Sequence, residues 1–225
     1  MHNPPVYLTF HGIGIPPLRT PKTEIPYWMD EMVFADKIAE MAAAAKRLQL
    51  TLVATFDDGN RSDIEIAAHQ LEIHKIAGLF FPCAGRLGQA GYLDASDLRM
   101  LKSFGFSIGS HGMHHLPWAT LKREDLLRET IEAKAVIEAA LGEKIDFAAL
   151  PFGSYNKRVL AALRTAGFKK VFSSDPGLSG LDAWFCRRFS YRVDRDFNLD
   201  KMISRHNAIS QKLISALKYQ IKALR

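Results

Sequence analysis

The sequence predicts an α/β fold built on a parallel sheet or barrel, and three observations carry the prediction. Short β-branched or aromatic runs alternate with longer stretches of helical periodicity. Four of the short runs end directly in polar, reactive residues. The 225 residues are 48% hydrophobic and 24% charged, enough apolar material for one sizeable core.

Residues 6–10 read as the first strand, ending at His11, with a proline-rich loop over 12–26 and a helix near 34–48. Residues 52–56 form a strand that runs into Asp57-Asp58-Gly59, followed by a helix near 63–74. A strand over 78–82, a helix over 95–104 and a strand over 106–109 lead to Ser110-His111. Residues 122–141 read as one long helix, with Ile131, Ala135 and Ala139 at helical spacing and Gly142 at its end. A strand over 147–150 enters Pro151-Phe152-Gly153-Ser154; a helix over 157–166 stops at Gly167, and 170–173 is a further strand. From Leu199 on, Met202, Ile203, Ile209, Leu213, Leu217, Ile221 and Leu224 recur at helical spacing with Lys and Arg between them. The chain therefore divides into an α/β domain over 1–198 and a basic amphipathic C-terminal helix over 199–225. That helix packs on the domain or on a second copy of it, or lies against an anionic membrane surface.

The net charge is +6, but residues 199–225 hold six basic side chains against Asp200 alone. The rest is close to neutral, which argues against a nucleic-acid-binding core. There is no apolar run of roughly eighteen residues to cross a membrane. The first residues have neither the basic start nor the apolar stretch of a secretory leader, so a cytoplasmic location is expected. Cys83 and Cys186 lie far apart without CxxC spacing and read as reduced.

In parallel sheets and barrels the C-terminal strand ends share one face, and the active site lies there. His11, Asp57-Asp58, His111 and Pro151-Phe152 should therefore meet. Two adjacent carboxylates in an apolar setting repel, and one would be driven toward its protonated form unless a cation is present. A metal separates the roles: one carboxylate binds it and the other stays free as a base. His111 and His115 are four apart, so a helix there would put both imidazoles on one face. Two histidines and one carboxylate leave a coordination position open, the catalytic rather than the structural zinc arrangement. His114, three from His111, competes as a ligand. His69 and His74 lie in a helical stretch and read as structural or solvent-facing. Trp118, Trp184 and Tyr155 read as sugar-facing rings or as core packing. Arg187-Arg188 reads as part of a strand with solvated charges, the alternative being a contact to an acidic group on a substrate.

Thr55-Phe56-Asp57-Asp58-Gly59, His111-Gly112-Met113-His114-His115 and Leu150-Pro151-Phe152-Gly153-Ser154-Tyr155-Asn156 together resemble the polysaccharide deacetylase family. This is the NodB-homology group, carbohydrate esterase family 4, and the resemblance spans about residues 6–175. It implies a distorted (β/α) barrel and a metal-dependent hydrolase that removes N-acetyl groups from an acetylated carbohydrate. It further implies Asp57 as the base, and Asp58, His111 and His115 as ligands of a divalent metal, usually zinc and sometimes cobalt or another ion. Pro151 and Phe152 take the oxyanion and substrate side, with Phe152 in place of the usual tyrosine; there a backbone N–H does the work.

Three departures stand out. Gly112 replaces the Ser/Thr of the family's His-Ser/Thr-x-x-His motif. Ala149 stands where an arginine normally orients the base, so Asp57 must be held by something else. No late Leu-x-x-His motif supplies the general acid; His206 lies in the basic tail, and His11 is the better acid, as in members whose first strand ends Leu-Thr-Phe/Tyr-His. Hydrolysis of a non-sugar amide or ureide, and an inactive binding module, are the competing readings.

Overall fold

The computed structural model describes residues 5–18, 20–207, 219, 220 and 222. Among the described residues, eight strands form two parallel arcs. The first contains β1 (Val6–Phe10), β2 (Leu52–Asp58), β3 (Ala77–Pro82), β4 (Ser107–Ile108) and β8 (Phe189–Ser190), in the order β4-β3-β2-β1-β8. The second is β5 (Phe147–Ala149), β6 (Lys170–Phe172) and β7 (Phe185–Cys186). A parallel bridge from Ser110 to Ala148 joins β4 to β5, and Arg187-Arg188 carries the chain from β7 to β8. The ring so formed is the distorted (β/α) barrel that the alternation and the family resemblance imply.

Strand alternation sorts the side chains. Val6, Leu8 and Phe10 of β1, with Ala54 and Phe56 of β2, pack outward under the helices, where the rings of Phe10 and Phe56 stack at 5.5 Å and those of Phe56 and Phe80 at 4.8 Å. Tyr7, Leu79, Phe81, Phe172 and Cys186 form a separate inner cluster. On β2 the parity that outward packing gives to Ala54 and Phe56 leaves Thr55 and Asp57 on the inner side. Adjacent Asp57 and Asp58 thus leave the strand in different directions.

The helices are α1 (Glu31–Arg47), α2 (Ala68–His74), α3 (Ala95–Ser103), α4 (Arg123–Leu127), α5 (Ala133–Leu141), α6 (Lys157–Thr165) and α7 (Leu199–Asn207). Asp30 caps α1 by accepting from the Met32 and Val33 N–H groups, so this helix begins before the stretch that periodicity picks out. Two expected helices contain a π turn: Asp63–Ala67 precedes α2, and Arg128–Glu132 joins α4 to α5. Periodicity does not reveal such an insertion, because one extra residue per turn leaves the flanking apolar pattern helical.

The segment after β4 does not begin the helix that would put both imidazoles on one face. Residues 109–117 form a loop, with Gly112 at φ 85° and His115 at φ 55°, so the spacing of the two histidines is not set by a helix. At the C-terminus, α7 is anchored by buried Leu199 and by the Arg47–Asp200 pair. The rest of the amphipathic helix expected over 199–225 lies outside the described residues, apart from Tyr219, Gln220 and Lys222. Tyr219 packs on Phe185 at 4.9 Å, and Lys222 Nζ donates to Asp175 Oδ1 at 2.8 Å. Among the described residues no helix is long and apolar enough to cross a membrane.

Candidate active site

At the C-terminal ends of β1 and β2, a cavity of about 300 Å³ is lined by His11, Asp57, Asp58, His111, His115 and Phe152. Residues from all four expected strand ends thus reach one mouth, whereas Pro151 is buried and does not line it.

Asp58 Oδ1 lies 3.4 Å from His115 Nε2 and 3.9 Å from His111 Nε2. One ligand atom from each residue falls within 4.8 Å of the others. The residues fit a divalent cation. Asp58 Oδ1 is buried and accepts no hydrogen bond among the described residues. Arg86 Nη1 lies 3.4 Å from it, outside hydrogen-bonding geometry, so the oxygen still has room for a closer cation on the His111 and His115 side. His111 Nδ1 sits 3.0 Å from the Ala149 carbonyl, which fixes the proton there and leaves Nε2 as a lone-pair donor toward Asp58. Burial pushes the His111 pKa down to about 4, in keeping with a neutral ligand. His115 is held above its ordinary value: burial opposes this, but Glu24, 3.5 Å from Nδ1, and Asp58 outweigh it. The side chain of His114 is exposed and is not among the converging ligand atoms, so the structure favours His115 over its neighbour.

Asp57 is 2% exposed and is gripped by Arg188, which is fully buried. Nη1 donates to Oδ1 and Nη2 to Oδ2, each at 2.7 Å. Arg188 Nε donates to the Ser173 carbonyl at 3.1 Å, and Nη1 also donates to Thr55 Oγ1. Burial raises the Asp57 pKa, but Arg188 and then His111 more than offset it and hold the group well below the usual carboxylate range. The reading of Arg188 as a solvated strand charge is therefore overturned, and so is its alternative as a substrate contact. The β7–β8 crossing turns its side chain inward, where it replaces the arginine missing at Ala149. An Arg-Arg pair ahead of Phe189-Ser190-Tyr191 carries no local signal for this.

His11, following β1, packs at a tilt against Tyr27 with ring centroids 4.7 Å apart, and its buried Nδ1 has no hydrogen-bond partner among the described residues. Tyr27 OH accepts from Arg192 Nη1 at 3.1 Å. Tyr27, Thr23 and Glu24 all line the cavity from the proline-rich loop, which sequence reasoning left without a role. Phe152 is 61% exposed, its ring lies 4.4 Å from that of His115, and its φ is 56°. With Asp58 at 79° and His115 at 55°, three site residues hold the left-handed backbone that side chains disfavour, a form of strain that collects at functional sites. Gly59 beside them cannot be replaced easily, because a Cβ there would collide with Pro82.

Trp118, Trp184 and Tyr155 do not line the cavity. Trp118 is buried and donates to Glu129, Trp184 donates to the Phe168 carbonyl, and Tyr155 donates to Asp175. Each belongs to packing. Cys83 and Cys186 are both free and buried, as their spacing suggests.

The sequence profile described as polysaccharide deacetylase matches residues 45–171. A protein of Bacillus subtilis (strain 168), YxkH, which carries the name polysaccharide deacetylase, is 23% identical over 131 residues, 58% of this chain and 47% of its own. The chain thus spans about half the length of that relative. Two solved structures share the fold. The Streptococcus pyogenes deacetylase PplD in complex with acetate has a TM-score of 0.70 at 16% identity, with 86% of this chain and 95% of that one covered. IcaB from Ammonifex degensii has a TM-score of 0.69 at 23% identity, covering 96% and 98%.

Proposed function

Because the chain belongs to the polysaccharide deacetylase family, we propose that it is a metal-dependent hydrolase that removes N-acetyl groups from an N-acetylated carbohydrate. One observation carries this reading: a buried carboxylate, Asp57, is kept ionised by Arg188 beside three converging ligand atoms of Asp58, His111 and His115. A binding-only site has no use for a free, ionised acid in that position.

Asp58, His111 and His115 would hold a divalent cation, zinc by the donor set and replaceable by cobalt, which would supply Lewis acidity and make bound water more acidic. Asp57 accepts the proton of the water that attacks the acetamide carbonyl. Arg188 keeps the base unprotonated and fixes the direction of both its oxygens. The Phe152 backbone N–H donates to the oxyanion that develops on the carbonyl oxygen. The amine leaves only once protonated, and His11 gives that proton. One water and one amide bond are consumed, and acetate and a free amine result. Tyr27 and the exposed face of Phe152 offer apolar surface to a sugar ring.

The non-sugar amide reading leaned on the missing arginine at Ala149. Arg188 meets that need, and no feature of the cavity now favours the alternative. Acetate release from a panel of N-acetylated oligosaccharides and polymers, with and without chelator, tests the proposal. Release should stop on chelation and return with Zn2+ or Co2+. Chelator-resistant release would remove the metal. Release from small cyclic amides alone would move the assignment off carbohydrate.

A further inference from the structure

We propose that Glu129 is the positioning residue of the loop carrying His111 and His115, setting the geometry that a helix would otherwise set. The inference rests on the metal-site reading above. Glu129 lies in the π turn Arg128–Glu132 and is 1% exposed. Its Oε2 accepts from the Met113 N–H at 3.0 Å and from Trp118 Nε1 at 3.2 Å, and its Oε1 accepts from the His114 N–H at 2.9 Å. A buried carboxylate needs this many donors, because desolvation is otherwise unrecovered.

The loop between the two histidines has no helical bonds of its own, so its polar groups must find partners elsewhere. Glu129 takes the N–H groups of Met113 and His114. On the other side, the Ala84 and Gly85 N–H groups donate to the Gly112 and Met113 carbonyls at 2.8 and 2.9 Å. The loop is held from both faces; Cys83 Sγ also donates to the His111 carbonyl and the Gly112 N–H to Ser110 Oγ, but Glu129 is the charged side chain that takes two successive loop N–H groups. Gly112 explains itself in the same terms. Its φ is 85°, and a Cβ there would run into Glu129 Oε2 and the Trp118 ring. The glycine that replaces the motif's hydroxyl residue leaves room for the carboxylate that now ties the loop. The π turn shifts the helix register by one residue at this point, and such insertions gather at functional sites.

The test is Co2+ titration of the full-length protein, followed by visible absorption, alongside thermal unfolding of the metal-free protein. Wild type should take up one Co2+ per chain. Glu129→Gln keeps the size but turns an amide donor toward backbone donors. It should weaken Co2+ binding by about tenfold to a hundredfold, the range for outer-sphere partners of metal sites, and should change the absorption bands. Leu126→Ala, a cavity in the preceding turn of the same helix, should lower stability and leave the affinity alone. Wild-type affinity in Glu129→Gln overturns the inference, as does an equal loss of affinity in Leu126→Ala. If Glu129→Gln does not fold, Gly112→Ala takes its place: it presses a methyl against the carboxylate from the loop side and should weaken binding likewise, and unchanged affinity there is equally fatal. A wild type that binds no Co2+ would instead bring down the metal-site reading itself.

Discussion

Arg188 and Asp57, 131 residues apart in sequence, meet in a two-pronged ion pair with both bonds at 2.7 Å and neither residue more than 2% exposed. The pair links β2 to the β7–β8 crossing and holds the carboxylate ionised inside the barrel.

Replacing Arg188 should therefore damage both folding and chemistry. Removing one partner of a buried pair leaves the other uncompensated, so Arg188→Met should lose about 3–5 kcal/mol of stability in denaturant titration. Arg188→Lys keeps the charge but not the fork, and should fold better while still losing turnover. In Arg188→Met the Asp57 pKa should rise because the main offset to its burial is gone, and in Arg188→Lys it should rise less, because the charge stays and the two hydrogen bonds do not. The acid limb of the rate profile then moves to higher pH. An unmoved acid limb would remove Asp57 as the base that Arg188 tunes.

Asp57→Asn and Asp58→Ala separate base from ligand. Asp57→Asn should retain its metal by elemental analysis and lose roughly 10²–10⁴-fold in turnover, the usual worth of a general base. Asp58→Ala should lose the metal and the turnover together. Full deacetylation by the first variant would contradict the division of labour between the two carboxylates.

The parts of the site that sequence reasoning reaches share one property: they are local. Asp57-Asp58 ends an apolar run, His111 ends another, and the rule that parallel strands share one C-terminal face brings them together without further knowledge. The resemblance then adds roles to those positions. Arg188 and Glu129 were not legible, because each acts through partners in a different element and looks like an ordinary strand or helix charge in its own neighbourhood. Ala149 did signal that something else must hold Asp57, but neither what it was nor where it lay. The helix expected between His111 and His115 failed for the same reason: a spacing of four suits a helix, yet here Glu129 supplies the constraint from outside. Glu24 and Tyr27 were hidden in a proline-rich loop with no periodicity to read.

His11 can be tested through the leaving group. An amine must be protonated to depart, whereas an activated aryl alkoxide need not be. His11→Ala should lose roughly 10²-fold or more on an N-acetylated sugar and far less on an activated aryl acetate ester. Equal losses on both substrates would show that the ring serves binding or packing, as in its contact with Tyr27, rather than proton donation.

Asp63 offers a prediction about stability rather than turnover. It is fully buried at the start of the π turn before α2, and neither oxygen has a hydrogen-bond partner among the described residues. Burial, reinforced by the charges of Asp58 and Asp57, pushes its pKa well above the ordinary value. The folded protein therefore keeps a proton that the unfolded chain releases near pH 4. With more protons bound in the folded state, stability must fall as pH rises above that point, until the folded-state pKa is passed. Asp63→Asn keeps the shape and removes the titration. Its melting temperature relative to wild type should thus climb between pH 5 and pH 7.5, measured by calorimetry at fixed ionic strength. An offset that stays constant with pH would mean that the side chain is ionised in the fold and that an unseen partner neutralises it.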